Sequence, residues 1–275
     1  MARAYTYQKE LEAIKILILE LSNLNGADFV MRLDDEIEAD KIKEILRAID
    51  LYLLKNIPVQ HILGYTYFFG YKIFVNQDVL IPRFETEELV GQVLSYYDNI
   101  FKGKPIRTVD IGTGSGAIAI ALALEEPKME VYATDISEKA LKVAYNNATY
   151  NKAKVKFIKG SWLEPLFELE RFDLIVSNPP YIPIDEEVDP IVKNNEPHLA
   201  LYGGKRGMDF YEVILKDANK ILNVPGLIAF EHSYNKKQEI YHLVKKYFPN
   251  ALVDCLTDMQ GKDRMTLITI KEVMK

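Results

Sequence analysis

Arg107-Thr108-Val109-Asp110-Ile111-Gly112-Thr113-Gly114-Ser115-Gly116-Ala117 is the stretch whose reading decides the fold. An apolar, β-branched run ends in an acid, three glycines follow at alternate positions, and an Ala/Ile/Leu run with helical character extends from Ala117 to Leu124. That is a strand, a tight turn and a helix. Glycines let the backbone turn and come close to a ligand, and the helix beyond offers unpaired N–H groups. The next strand, Glu130–Asp135, closes on an acid about 20 residues further on, where a carboxylate can accept hydrogen bonds from ribose hydroxyls. Gly112, Gly114 and Ala117 also satisfy the relaxed dinucleotide fingerprint G-x-G-x-x-A, so NAD-type and S-adenosylmethionine-type sites both fit. A Gly-rich turn with a purely structural purpose is the third reading.

Outward from this unit the pattern repeats. Helix Glu138–Asn147, strand Lys154–Lys159 and strand Phe172–Ser177 follow. After a long irregular segment, Ile182–Met208, come helix Phe210–Leu222, a Pro225-Gly226 break, strand Leu227–Glu231 and helix Lys236–Phe248. Such alternation predicts βαβ units in an α/β fold with a mostly parallel, doubly wound sheet. Leu252–Leu256 and Met265–Ile270, separated by a short polar turn, predict an antiparallel hairpin at the sheet edge.

Toward the N-terminus the period changes. Leu11, Ile14, Leu17, Ile18 and Leu21 recur at helical spacing, as do Ile42, Ile45, Leu46, Ile49 and Leu53. Asn25-Gly26 is expected to end the first helix and Pro58 to close the second. A hairpin around Gly70, Tyr65–Val75, then bridges to Val79-Leu80-Ile81-Pro82-Arg83-Phe84-Glu85-Thr86-Glu87, which opens a helix through Leu89, Val90, Val93 and Leu94. The expected division is a helical N-terminal domain over 1–64, a β-hairpin linker over 65–78 and a catalytic domain over 79–275.

The totals narrow the function classes. The chain has 275 residues, 48% of them hydrophobic, and a net charge of −6, which gives no electrostatic footprint for wrapping a phosphate backbone. One cysteine, Cys255, excludes an intrachain disulfide, and no spacing of histidines and acids suggests a metal site. No run reaches the length of a membrane span and no signal-peptide layout is present, so a cytoplasmic protein is expected.

The chemistry is concentrated in Asn178-Pro179-Pro180-Tyr181, directly after a buried strand. Two prolines cannot extend that strand, so the chain breaks at the sheet edge where α/β proteins bind ligands. A Pro-rich turn with an Asn cap and a packing tyrosine is the bland alternative. Beside the Gly-rich loop, a sharper reading is methyl transfer to a planar nitrogen. Such a nucleophile needs in-line positioning and acceptors for its N–H groups more than a strong base. The Asn178 side-chain oxygen and the Pro179 carbonyl can each take one N–H, Tyr181 can stack on the planar group, and the proline pair keeps them rigid.

With these motifs the chain resembles the HemK/PrmC family of glutamine methyltransferases that act on class I peptide-chain release factors. Val79–Glu87 is close to that family's V-L-I-P-R-P-E-T-E, with Gln60-His61-Ile62-Leu63-Gly64 before it. Glu196-Pro197, Ala200-Leu201, Gly203-Gly204, Gly207-Met208, Tyr211, and Asp258, Gly261 and Asp263-Arg264 complete the likeness. Phe84 replaces a usual proline, and His232-Ser233 stand where a glycine is usual. The resemblance implies a class I, Rossmann-like methyltransferase with a mostly parallel seven-stranded sheet. It implies a cofactor, S-adenosyl-L-methionine, bound by Asp110, Gly112, Thr113, Gly114, Ser115, Gly116, Asp135, Trp162 and Asn178, and released as S-adenosyl-L-homocysteine. It implies Asn178, Pro179 and Tyr181 as catalytic residues and Asn178 to Tyr181, Pro180 included, as the acceptor-glutamine site. Trp162 has core packing as its alternative, and Arg83 and Glu85 either shape the pocket wall or form a structural ion pair. A monomer that docks a release factor through its N-terminal helices, without direct nucleic-acid or membrane binding, is the expected partner state. Asp185–Asp189 either meets a basic partner or is a solvated loop. Rival readings are an amino-methyltransferase acting on an exocyclic base amine of DNA or RNA, a nicotinamide-dependent oxidoreductase, and a non-catalytic scaffold.

Overall fold

The computed structural model describes residues 10–32 and 35–271. Four helices come first: α1 (Leu11–Ser22), α2 (Gly26–Met31), α3 (Ala39–Lys55) and α4 (Val59–Leu63). Ile14, Leu17, Ile45, Ile49, Leu53 and Val59 pack into one cluster between α1, α3 and α4. The first helix ends earlier than expected: Asn23 at φ 54° caps it, and Asn25-Gly26 instead starts α2, with Asn25 Oδ1 accepting from Asp28 N at 2.8 Å. An asparagine serves either purpose, because it tolerates left-handed backbone and also accepts from a helix N-terminus. Likewise α3 ends at Lys55 with Asn56 left-handed, and Pro58 begins α4 rather than closing α3. The apolar stripe of α3 is wider than its cover, so Ile42 and Leu46 remain exposed. Of the expected domains, residues 1–9 and 33–34 at the N-terminal side and 272–275 at the other end lie outside the described residues.

The hairpin β1 (Tyr65–Phe68) and β2 (Tyr71–Phe74) follows. Its two turn residues, Phe69 and Gly70, both have positive φ, 51° and 81°, the backbone sense that matches the twist of paired strands. Asn147 locks this hairpin to the rest of the chain. Its fully buried side chain accepts from Phe74 N (2.8 Å) and donates to Phe74 O and Ser115 O (both 2.9 Å).

Beyond α5 (Phe84–Phe101) lie β3 (Ile106–Ile111), α6 (Ala117–Glu125), β4 (Met129–Asp135), α7 (Glu138–Asn151), β5 (Val155–Lys159) and β6 (Phe172–Ser177). The chain continues with α8 (Pro190–Asn195), α9 (Asp209–Ile221), β7 (Leu222–Glu231), α10 (Lys237–Tyr247), β8 (Leu252–Thr257) and β9 (Asp263–Ile270). The strands form one seven-stranded sheet in the order β5-β4-β3-β6-β7-β9-β8. Pairs from β5 through β7 are parallel, and β9 runs antiparallel to both β7 and β8. Alternate strand residues point to opposite faces. Val131, Leu174, Val176 and Leu227 pack against α5 and α6, whereas Val109, Ile111, Ile175 and Ile228 pack against α9 and α10.

Two expectations need correction here. Strand β7 starts at Leu222, not after Pro225-Gly226: Leu222 pairs with Phe172, and the pairing shifts register before resuming at Leu227 with Leu174. Proline cannot donate to the ladder, so the strand accommodates it at the irregularity. The segment 182–208 is not irregular throughout. It contains α8, a single 3₁₀ turn at His198–Ala200 and a bridge between Ile182 and Tyr202. Ile191 of α8 packs on the N-terminal cluster, and Asn195 Nδ2 donates to Asn56 O at 2.8 Å.

Because the Asn147 side chain is buried and bonds both the hairpin and the Gly-rich loop, Asn147→Ala leaves backbone groups of each without that partner. Denaturant unfolding is expected to show a loss of about 2–3 kcal/mol.

Candidate active site

Strands β3 and β6 are parallel neighbours, with Val109 beside Ile175 and Asp110 beside Val176. Chain connections leave β3 toward β4 on one side, while β6 lies on the other. The loops after the two strands therefore meet at the carboxyl edge, at the point where the sheet order reverses. Ser177 Oγ donates to Ile111 O at 2.7 Å and fixes the two strand ends against each other. Above them lies a cleft of about 1020 Å³, part of it open to solvent. Its lining includes Gly112–Ser115, Thr134–Ser137, Trp162, Asn178, Pro180 and Thr86.

The Gly-rich loop wraps the end of β4: Gly112 N and Thr113 N both donate to Thr134 O at 2.9 Å, and Gly114 N donates to Asp135 Oδ2 at 2.9 Å. Gly112 has φ 72°, and a Cβ built there meets nothing within 4 Å. The glycine is thus required by backbone sense, and the space beside it is open for a ligand. Asp135 Oδ1 also accepts from Ser137 N at 2.8 Å. Each carboxylate oxygen keeps a further lone pair for a hydroxyl donor. Burial raises the Asp135 carboxyl above its ordinary range, opposed by these N–H groups. Trp162 lines the cleft and lies over Phe210 with ring centroids 4.2 Å apart, from a backbone at φ 48° that is costly for a bulky residue.

Asp110 and Gly116, expected among the cofactor residues, lie beneath the cleft rather than along it. Asp110 is buried, accepts from Thr113 Oγ1 at 2.6 Å and is pushed by burial up to about 7. Gly116 caps the start of α6, where a Cβ would sit 3.0 Å from that of Ala144. Both act on the loop's shape. Pro179 and Tyr181 likewise stand behind the surface formed by Asn178 and Pro180. Tyr181 is half-buried against the cluster of α9, and burial pushes its phenol above the ordinary value.

Glycines of the 182–208 segment close over this turn. A Cβ at Gly203 would lie 2.3 Å from Pro180 O, and one at Gly207 2.0 Å from Tyr181 O. Gly203 N donates to Ile182 O at 2.8 Å. Arg83 pairs with Glu196, not with Glu85, and Glu196 Oε2 also accepts from Ile81 N at 3.0 Å. One buried carboxylate thus joins the Val79–Glu87 segment to Glu196-Pro197. Neither departure from the family pattern borders the cleft. Phe84 is exposed, and His232 is buried with its ring between Ser233 O and Thr266 Oγ1, each at 2.9 Å. Asp185–Glu187 are exposed, and Asp189 caps α8 through Ile191 N.

Two site residues escaped the sequence reading. Asn178 Nδ2 donates to Thr86 Oγ1 at 3.1 Å, and Thr86 Oγ1 donates to Glu231 Oε2 at 2.6 Å. Thr86 lay within the Val79–Glu87 stretch, where only its charged neighbours drew attention. Glu231 closes a buried strand just as Asp135 does, and that signal was legible.

The residues suit S-adenosylmethionine: open space beside the glycine backbone, a carboxylate with spare lone pairs and an aromatic wall. They define a class I methyltransferase dependent on that cofactor. Residues 96–200 match the Methyltransferase small domain family. Over 260 residues the chain is 37% identical to the release factor glutamine methyltransferase of Bacillus anthracis, covering 94% of this chain and 92% of that one. The Bacillus subtilis (strain 168) protein of the same name is 38% identical over 261 residues, covering 93% and 90%. A solved methyltransferase structure from Pyrococcus furiosus shares the fold, with a TM-score of 0.54 at 22% identity over 86% of this chain and 100% of that one. The chain belongs to the release factor glutamine methyltransferase family.

Gly203→Ala is expected to push the Pro180 carbonyl, and Asn178 with it, out of place. Methyl transfer should fall roughly 10²-fold while calorimetric affinity for S-adenosylmethionine changes little, because the Gly-rich loop, Asp135 and Trp162 stay in place.

Proposed function

We propose that this protein transfers a methyl group from S-adenosyl-L-methionine to the side-chain amide nitrogen of the glutamine in the Gly-Gly-Gln loop of class I peptide-chain release factors. The products are N(5)-methylglutamine and S-adenosyl-L-homocysteine. The cofactor supplies an electrophilic methyl on a sulfonium centre, and Gly112, Thr113, Gly114, Ser115, Asp135 and Trp162 are the residues to hold it. The acceptor amide is planar and weakly nucleophilic, so the protein's task is orientation. Asn178 carries this reading: its Nδ2 is committed to Thr86, which leaves Oδ1, without a partner among the described residues, to accept an N–H of the substrate amide. The Pro179 carbonyl takes the second N–H, Tyr181 supports the planar group, and Pro179-Pro180 resist rotation. As the new N–C bond forms, the amide nitrogen loses one proton to water, and the sulfonium becomes a neutral thioether.

The division 1–64, 65–78 and 79–275 belongs to this proposal, with the N-terminal helices as the docking surface for the release factor. Their separate hydrophobic cluster supports it. A monomer working in the cytoplasm without direct nucleic-acid contact fits the net charge of −6. Among the described residues no helix is long and apolar enough to cross a membrane.

Mass spectrometry of a class I release factor incubated with the protein and S-adenosylmethionine is expected to show one added methyl on that glutamine. Methyl incorporation into nucleic acid instead would overturn the assignment. Asn178→Ala should lower turnover by about 10²–10³-fold with cofactor affinity retained.

A further inference from the structure

Glu231, at the end of β7, is 1% exposed, and Thr86, in the first turn of α5, is 4% exposed. Between them the chain Asn178–Thr86–Glu231 runs from the cleft into the core. Its direction is set by proton counting. A threonine hydroxyl has one proton to give. An ionised Glu231 can only accept, so that proton goes to Oε2, and Thr86 must in turn accept from Asn178. Only the –NH₂ end of the Asn178 amide can donate, so its oxygen is left for the cleft.

We propose that Glu231 is a positioning residue which, through Thr86, holds the Asn178 amide with its oxygen toward the methyl acceptor, and that this requires Glu231 to be ionised. Protonated, Glu231 can donate to Thr86, whose own proton is then free to bond the Asn178 oxygen. The amide turns over and presents –NH₂ to a substrate that also presents –NH₂, so two donors face each other. The inference rests on the acceptor chemistry proposed above, but the relay itself is a property of the free protein.

The surroundings of Glu231 leave its ionisation in the range where this matters. Burial opposes the charge, while the Thr86 donor, Arg264 on β9 and the Asn178 amide favour it, and Glu85 on α5 opposes it. The outcome is a carboxyl pushed up to about 7. Arg264 is itself held by Asp258, Nε to Oδ2 at 3.3 Å. Tyr211 OH donates to the Glu231 main-chain oxygen at 2.7 Å, and burial pushes its phenol and that of Tyr181 upward, so both stay neutral. Burial lowers His232, which keeps it uncharged beside Glu231 near neutral pH. Asp258, Gly261 and Asp263-Arg264, a sequence motif without a place in the cleft, thereby gains one: Arg264, at the start of β9 and held by Asp258 from the turn before it, is the cation that favours an ionised Glu231.

The test uses the full-length protein with Thr86→Val, Thr86→Ser and Glu231→Gln. Saturated with cofactor, wild-type turnover should rise with pH through about 7, since the folded-state carboxyl must lose its proton. Thr86→Val, of nearly the same shape, should cut kcat roughly tenfold or more with cofactor affinity unchanged, and Thr86→Ser should restore it. Glu231→Gln should flatten the pH profile. A Thr86→Val enzyme within twofold of wild type, or a Glu231→Gln enzyme that keeps the wild-type profile, overturns the proposal. A second readout needs no methyl acceptor: carbon-13 NMR of the Glu231 carboxyl should titrate higher in Thr86→Val, because a donor to the charged form is gone. An unmoved titration refutes the relay. If the titration moves but wild-type protein leaves release factor unmethylated, the relay stands and the substrate assignment fails.

Discussion

The parallel pairing of β3 with β6 is the constraint on which the site depends. It places two loops, Gly112–Gly116 and Asn178–Tyr181, which are distant in sequence, side by side at one edge of the sheet. The Ser177–Ile111 hydrogen bond removes the remaining freedom between the strand ends. Methyl transfer tolerates little misplacement of donor and acceptor, and a loop alone is a poor device for holding them. Here each loop starts from the end of a strand whose last four residues are all buried, so the precision of the core is passed to the cleft.

The second layer is polar and lies where burial is expensive. Asp110, Glu196 and Glu231 are all nearly inaccessible carboxylates, and each is bonded to a group that shapes the site. Asp110 holds the Gly-rich loop through Thr113, Glu196 joins the segment before α5 to the one after α8, and Glu231 holds the Asn-Pro-Pro-Tyr turn through Thr86. An isolated buried carboxylate is destabilising, and hydrogen bonds of this kind define one geometry rather than add much stability; Asp110 keeps Oδ1 without a partner among the described residues. Raised proton affinities at Asp110 and Glu231 are the visible cost of that arrangement.

Much of this was legible in the sequence where a single local rule sufficed. The strand–glycine–helix unit at 107–124, the acid closing β4, the hairpin at Gly70 and the turn at Asn178 were all placed correctly, because φ preferences and side-chain period act within a few residues. Asn25 and Pro58 were misread, since each is compatible with an end or a beginning and only packing decides. Strand β7 was begun too late, because the pairing of Leu222 with Phe172 is a non-local contact that outweighs the proline between. Thr86 and Glu231 lie 145 residues apart and meet only through the sheet order. No period or spacing announces such a pair. The glycines at 203 and 207 needed the structure for their reason, as the close approach to Pro180 and Tyr181 is tertiary.

Asn-Pro-Pro-Tyr by itself is equally suited to a base amine and to a glutamine amide, because both present a planar –NH₂. What separates the two readings is everything that holds the motif. Arg83, at the start of α5, is tied to Glu196, and Thr86, in the first turn of that helix, is tied to Glu231. The family likeness covers more than nine-tenths of the chain. A cofactor-binding sheet can serve many substrates, so what this chain adds to the shared fold lies in the ties around the motif: Arg83 to Glu196, Asn178 through Thr86 to Glu231, and the packing of α8 on the N-terminal cluster through Ile191 and Asn195.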